Sequence, residues 1–235
     1  AGKIPLALGN QPWQSNLAFG AMQIAVAGLD NWKAVNIDKN MDVAAGPEYA
    51  KVFQAAADAR KLAAKSTVQD WNQATNLVIT GEAAGQIMGD WAQGEFQVAG
   101  KVAGKDYTCL PGLGLNEYIS TGGDAFYFPK LDDPDKEAAQ KRLAALLVSP
   151  EVQVAFNLKK GSLPIRGDVD LSAANDCMKK GLKILAGGNI VPSGDMNWNP
   201  DVQKQAEDLM VEFWKSDMPA DEAQAKWVEI LKSGL

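Results

Sequence analysis

This 235-residue chain contains no histidine, which removes much of common catalytic chemistry. Without an imidazole there is no Ser-His-Asp triad, no Cys-His dyad, no H-E-x-x-H zinc site and no histidine pH switch. The two cysteines, Cys109 and Cys177, lie too far apart for a C-x-x-C redox or zinc pair, which leaves a long-range disulfide or two buried thiols. Gly94 to Lys101 has the outline of a phosphate loop. However, five residues separate its glycines where four are needed, and Val102 stands where the metal-binding hydroxyl belongs. Pro111-Gly-Leu-Gly-Leu lacks the third glycine of a dinucleotide fingerprint and does not open a helix. Asp90 and Glu95 suggest an acid and base pair for glycoside hydrolysis, yet such neighbours arise by chance in an acidic chain.

Binding chemistry is better represented. In Gly81-Glu-Ala-Ala-Gly-Gln-Ile-Met-Gly-Asp-Trp-Ala-Gln-Gly-Glu-Phe, an apolar segment reading as a buried strand ends at Gly89 and presents Trp91 just beyond it. An indole at the exposed end of a strand suits a pyranose. The axial C–H face of the sugar stacks on the ring while its hydroxyls meet polar groups at the rim. Spacing alone leaves Trp91 equally readable as a core residue.

The elements that must position this group alternate between strand and helix. Pro5 to Leu8 reads as a short strand, followed by a turn at Gly9-Asn10 and a helix through Met22 and Val26 to Gly28. Tyr49, Val52, Phe53, Ala56 and Ala57 recur at spacings of three and four, predicting an amphipathic helix from Pro47 to Ala64. A second helix spans Val68 to Thr80 and stops at Gly81. Ala83–Met88, Tyr107–Leu110 and Asp124–Phe128 read as strands. Asp133-Pro134 and Ser149-Pro150 each start a helix, and three more occupy Leu171–Ala186, Pro200–Lys215 and Pro219–Lys232.

Composition narrows the class of partner. Hydrophobic residues make up 46% of the chain, enough for a globular core held without metals or a dense disulfide framework. The 23 basic and 29 acidic side chains give a net charge of −6 and are interspersed, so there is no basic footprint for nucleic acid. No apolar run approaches the roughly 20 residues needed to cross a bilayer, and no signal peptide is visible. Neither membrane insertion nor a cofactor is expected.

The run G-E-A-A-G-Q-I-M-G-D-W-A-Q-G-E-F resembles the signature of extracellular sugar-binding proteins that serve ABC importers. The resemblance continues in Gly9-Asn-Gln-Pro-Trp-Gln, in Phe156-Asn-Leu-Lys-Lys-Gly-Ser-Leu-Pro-Ile-Arg and in the pair Cys109 and Cys177, and is closest to the glucose-type branch. It implies an α/β, class II periplasmic binding protein-like fold whose two lobes close on a sugar and dock on a membrane permease. It implies no catalysis, a periplasmic or extracellular location, and a Cys109–Cys177 disulfide. By the same resemblance Trp91 stacks on the sugar, Trp13 and Gln11 line the cleft, Asp124 accepts from sugar hydroxyls and Lys160 donates to them.

The match departs from that branch in two places. The long first segment that builds most of the amino-terminal lobe has no counterpart, so the chain is expected to be part of a longer polypeptide. Residues 1–118 and 167–235 would then form the carboxy-terminal lobe, and 119–166 an incomplete piece of the other. That piece is expected to pack abnormally, through mobility, dimer contacts or swapping, because its strand edge and apolar helix faces lack cover. Near Val191-Pro-Ser-Gly-Asp-Met, glucose-type relatives place a histidine against the ligand, and this sequence has none. Either Asp195 takes its place or the preferred ligand is another monosaccharide, a sugar alcohol or an oligosaccharide.

Overall fold

Short polar side chains and prolines set most of the helix starts. Prolines open α4 (Pro47–Ala63), α7 (Pro134–Leu147), α8 (Pro150–Lys160) and α10 (Pro200–Lys215), where the missing N–H has no intrahelical partner to lose. Asp133, Ser149 and Asn199 cap α7, α8 and α10 by accepting backbone N–H groups of the first turn, and Asn175 does the same for α9 (Asp176–Ala186). The computed structural model describes residues 2–193 and 197–235. Helix α1 (Pro12–Met22) passes through a π-helical turn, Gln23–Ala27, into α2 (Gly28–Asn36). The helix predicted to end at Gly28 therefore resumes there, although Gly28 has φ of +84°. A short α3 (Met41–Ala44) precedes α4, and α11 (Ala220–Lys232) follows α10.

The core lies where α1, α4, α10 and α11 meet. The predicted stripe of α4, Tyr49, Val52, Phe53, Ala56 and Ala57, is buried there, against Phe19, Met210, Phe213, Trp227 and Leu231. Trp227 stacks on Tyr49 at 5.2 Å between centroids and meets Phe19 and Phe53 edge-on at 5.8 and 5.7 Å, geometries that suit ring quadrupoles. Two polar side chains tie the layers together. Arg60 donates to the carbonyls of Phe213 and Met218 at 2.7 and 3.2 Å, and buried Gln224 donates to those of Ala44 and Gly46 at 2.9 and 3.1 Å.

The strand predictions need correction. Ile4 and Ala7 make isolated parallel bridges to Ala83 and Gln86, so the two segments run side by side without a continuous ladder. The chain bends at Pro5-Leu6 between the bridges, and Pro5 has no N–H to extend the pairing. Tyr107–Leu110 contributes a single bridge from Tyr107 to Ala103. Asp124–Phe128 is not a strand; it has no backbone partner among the described residues, and Phe126, Tyr127 and Phe128 are 61, 90 and 41% exposed. The parallel pair that does form is β1 (Ile119–Thr121) with β2 (Ile190–Pro192), in register Ile119 to Ile190. Segments 119–166 and 167–235 are thus linked by backbone pairing at 119–121.

Cys109 and Cys177 form a disulfide that pins α9 to the loop before β1. On the loop-entropy picture a bridge closing 68 residues contributes roughly 4 kcal/mol. The helical hairpin of α7 and α8 is sparsely covered: α7 buries no residue, and Leu143, Leu146, Val148 and Phe156 stand exposed.

Phe53 touches Phe19, Phe213 and Trp227 and is fully buried, so Phe53→Ala is expected to cost about 3–5 kcal/mol. Urea unfolding followed by circular dichroism measures it; a loss below about 1 kcal/mol would mean that these helices do not share one cooperative core.

Candidate functional site

The parallel contacts at Ile4–Ala83 and Ala7–Gln86 place the ends of both segments together: Gly9 to Trp13 on one, Gly89 to Trp91 on the other. Residues 66–70 line the first segment's far side. Ser66 Oγ accepts from the backbone N–H of Leu8 at 2.9 Å and donates to its carbonyl at 2.8 Å, while the N–H of Asn10 points at the carbonyls of Val68 and Gln69. Beyond them, α5 (Trp71–Ile79) begins directly after Asp70.

Two half-buried indoles meet where the segments end. The rings of Trp13 and Trp91 lie 6.5 Å apart between centroids, inclined at 48°. Trp91 sits on a 3-10 turn, Asp90–Ala92, and folds back over Gly89. A Cβ at Gly89 would lie 2.1 Å from the ring's Cζ3, so only glycine permits this pose. The Trp13 indole N–H donates to Gln11 Oε1 at 2.7 Å, an oxygen that also accepts from Gln14 Nε2 at 3.1 Å. Gln11 Nε2 in turn donates to Asp70 Oδ1 at 2.6 Å. Gln14 is fully buried and its Oε1 lies 2.1 Å from where a Cβ of Gly9 would stand, so Gly9 is required for close approach as well.

A second group of polar contacts joins the Trp91 turn to the carboxyl end of α8. From α6 (Gln93–Val98), Gln93 Nε2 donates to the carbonyl of Gly161 at 2.7 Å and Gln97 Nε2 to that of Leu158 at 2.9 Å, satisfying acceptors that α8 leaves open. Gly161 ends α8 in the left-handed region, φ +84°, against Gln93. Ser162 Oγ donates to Asp90 Oδ1 at 2.9 Å. Burial pushes the Asp90 carboxyl above the usual carboxylate range, opposed by the Ser162 bond and the nearby Lys160 charge. Lys160 itself pairs with Asp124 at 2.5 Å and faces the Phe156 ring at 5.7 Å. With 67% of the Asp124 side chain exposed, the pair contributes little to stability and its groups stay accessible.

Of the residues expected to meet a ligand, Trp91, Trp13 and Gln11 lie in one cluster. Lys160 and Asp124 pair with each other at the adjoining α8 end, close enough for Lys160 to act on Asp90. Asp195 lies outside the described residues. Trp91 stands on a tight turn and not on the end of a regular strand. Sequence reading missed Asp70, Gln14, Gln93 and Ser162. Asp70 carried one usable signal: an Asp three residues before Gln73 marks a helix start, and Gln73 Oε1 does accept from the Asp70 N–H at 3.1 Å. Among the described residues no group of acidic or sulfur side chains could hold a metal ion, and no helix is long and apolar enough to cross a membrane.

Comparison with known proteins gives the family and the fold to which these short parallel segments and their flanking helices belong. Residues 1–181 match the bacterial extracellular solute-binding protein family, and the chain belongs to it. A probable sugar-binding periplasmic protein of Rhizobium meliloti (strain 1021) is 34% identical over 239 residues, covering 99% of this chain and 57% of that protein. The chain therefore spans little more than half the length of that relative. In fold it resembles a chitin oligosaccharide binding protein, at a TM-score of 0.72 and 17% identity over 99% of this chain and 60% of the other. It also resembles a Streptococcus pneumoniae solute-binding protein in complex with the blood group A-trisaccharide, at 0.68 and 20% over 99% and 59%. The sparse parallel pairing is thus part of an α/β binding-protein fold, and the family is one of binding proteins, not of enzymes.

Two substitutions test the local account. The backbone at Gly89, φ −69°, suits alanine, so Gly89→Ala acts through the indole alone. It is expected to displace the Trp91 ring, redden tryptophan emission and cost about 1–3 kcal/mol, and adding Trp91→Ala should restore most of that stability. Since the folded state raises the Asp90 pKa, ionisation opposes folding above the ordinary carboxylate range and not below it. Asp90→Asn should therefore raise the melting temperature slightly at pH 7 and leave it unchanged near pH 3. A gain of equal size at both values would refute the burial effect.

Proposed function

We propose that this protein binds a sugar between two lobes and delivers it to the membrane permease of an ABC importer. The single observation that carries this reading is the corner formed by Trp13 and Trp91 in a chain of the extracellular solute-binding family. Two indoles tilted at 48° form a wedge and not a flat tray, which favours one pyranose ring, a monosaccharide such as glucose, over a linear oligosaccharide. The apolar face of the sugar lies on Trp91 while Trp13 closes one side.

Polar groups at the rim supply direction. Gln11 uses one amide N–H on Asp70 and keeps the other for a hydroxyl. The second carboxylate oxygen of Asp124 and the remaining N–H bonds of Lys160 form charge-assisted bonds to sugar hydroxyls when the cleft closes. Asp195 is assigned as a further hydroxyl partner. Residues 1–118 and 167–235 form the lobe that carries the indoles, and 119–166 belongs to the facing lobe. The exposed Phe126, Tyr127, Leu143 and Leu146 support that division, as surfaces the rest of the facing lobe would cover.

Titration of the full-length polypeptide with a panel of monosaccharides, sugar alcohols and oligosaccharides tests the reading, by calorimetry and tryptophan fluorescence. At least one monosaccharide is expected to bind with micromolar Kd, about −8 kcal/mol. Trp91→Ala should weaken it roughly thirtyfold, as loss of a central aromatic anchor does at about 2 kcal/mol. Lys160→Ala should weaken it about tenfold. Absence of heat and of fluorescence change with every sugar at millimolar concentration would refute the proposal.

A further inference from the structure

We propose that Asp70, a residue with no place in the sugar contacts described above, is the positioning residue of the aromatic corner. The inference rests on the reading of Trp13 as a sugar-facing side chain. Asp70 stands 59 residues from Gln11 and is held beside it by the hydrogen bonds from Asn10 N–H to the carbonyls of Val68 and Gln69. It does not touch Trp13; it acts through Gln11.

The argument is one of hydrogen-bond polarity. A glutamine amide has nearly the same shape after a half-turn that exchanges its oxygen and nitrogen, so its neighbours decide its orientation. A carboxylate can only accept, and an indole N–H can only donate. With Asp70 Oδ1 2.6 Å from one end of the amide, that end must be Nε2, and Oε1 must face the Trp13 N–H at 2.7 Å and Gln14 Nε2 at 3.1 Å. The reversed amide would set its N–H bonds against two other donors and its oxygen against a carboxylate. Asp70 thus fixes the polarity of a chain of bonds from carboxylate to amide to indole, and fixes the ring plane of Trp13 with it. The same carboxylate also belongs to the capping box of α5, accepting from the first turn of that helix, which anchors it beside Gln11. Gln73 supplies the reciprocal half of that box, its Oε1 accepting from the N–H groups of Gln69 and Asp70 at 3.0 and 3.1 Å. The first-turn N–H groups of α5, a nine-residue helix, also favour negative charge at that point.

The test uses the full-length polypeptide, labelled with nitrogen-15, with the indole N–H resonance of Trp13 assigned by its loss in Trp13→Phe. Asp70→Ala is expected to move that resonance in the sugar-free protein and to weaken binding of the preferred monosaccharide about tenfold, the scale of one lost bond to a charged group. Asp70→Asn, whose Oδ1 still accepts, should recover most of both. Gln11→Met should produce the same displacement of the resonance, and combining it with Asp70→Ala should add little further loss, because both act on one chain of bonds. A Trp13 resonance unmoved by Asp70→Ala would overturn the proposal. So would a moved resonance with unchanged affinity, or losses that add fully in the double variant. If the unaltered protein bound no sugar, the functional reading would fall while the resonance alone still judged the bond chain.

Discussion

The carbonyl of Ile4 accepts from the N–H of Ala84 at 2.9 Å and that of Gly85 from Ala7 at 2.8 Å, so two extended stretches separated by some eighty residues run side by side in the same direction. Everything proposed for the site depends on that alignment. Parallel partners end at the same edge, so the turn after each stretch emerges beside the other, and the two indoles meet there. The ladder is too short to be strong alone. It is held by what packs behind it: Ala7 and Ala83 are buried against Ala74, with Ile4, Leu77 and Val78 alongside, and Leu8 packs with Ala18 and Ala63. Helices α1 and α4, anchored in the aromatic core, therefore transmit their rigidity to the aromatic corner.

The site itself is built from amides and hydroxyls more than from charges. Gln11, Gln14, Gln93 and Gln97 each bridge backbone or side-chain groups distant in sequence, and three of the four use their N–H groups on carbonyl oxygens of another segment. Buried neutral amides of this kind fix geometry while avoiding the desolvation cost of an ion. The charged residues Asp124 and Lys160 stay at the edge, where solvent screens their pairing.

Helices were far more legible in the sequence than strands, and the reason is physical. The α4 stripe and the Ser149-Pro150, Asn199-Pro200 and Asp133-Pro134 starts encode helices locally, through period and capping, and the structure follows them within a few residues. A strand exists only when a partner accepts its hydrogen bonds, and sequence at Asp124–Phe128 cannot say whether one is present. Near the aromatic corner, the sequence set Trp91 just beyond Gly89, and the resemblance set Trp13 after the first turn, and the structure brings the two rings together. The polarity set by Asp70 was not legible, because nothing in a one-dimensional pattern places residue 70 beside residue 11. The signal available, a capping Asp before α5, located the carboxylate without revealing what it faces.

The indole lying on Gly89 has an implication for how such proteins drift. Position 89 cannot acquire any side chain while position 91 keeps its large ring, because the two would occupy the same space. Lineages should therefore change these positions as a pair: those that abandon the ring for a smaller side chain release the neighbouring glycine to vary, and those that retain it keep a bare backbone two residues earlier. Gly9 and Gln14 are bound by the same steric rule on the opposite segment. Change along such a pair would accordingly begin at the bulky position and reach the glycine only afterwards.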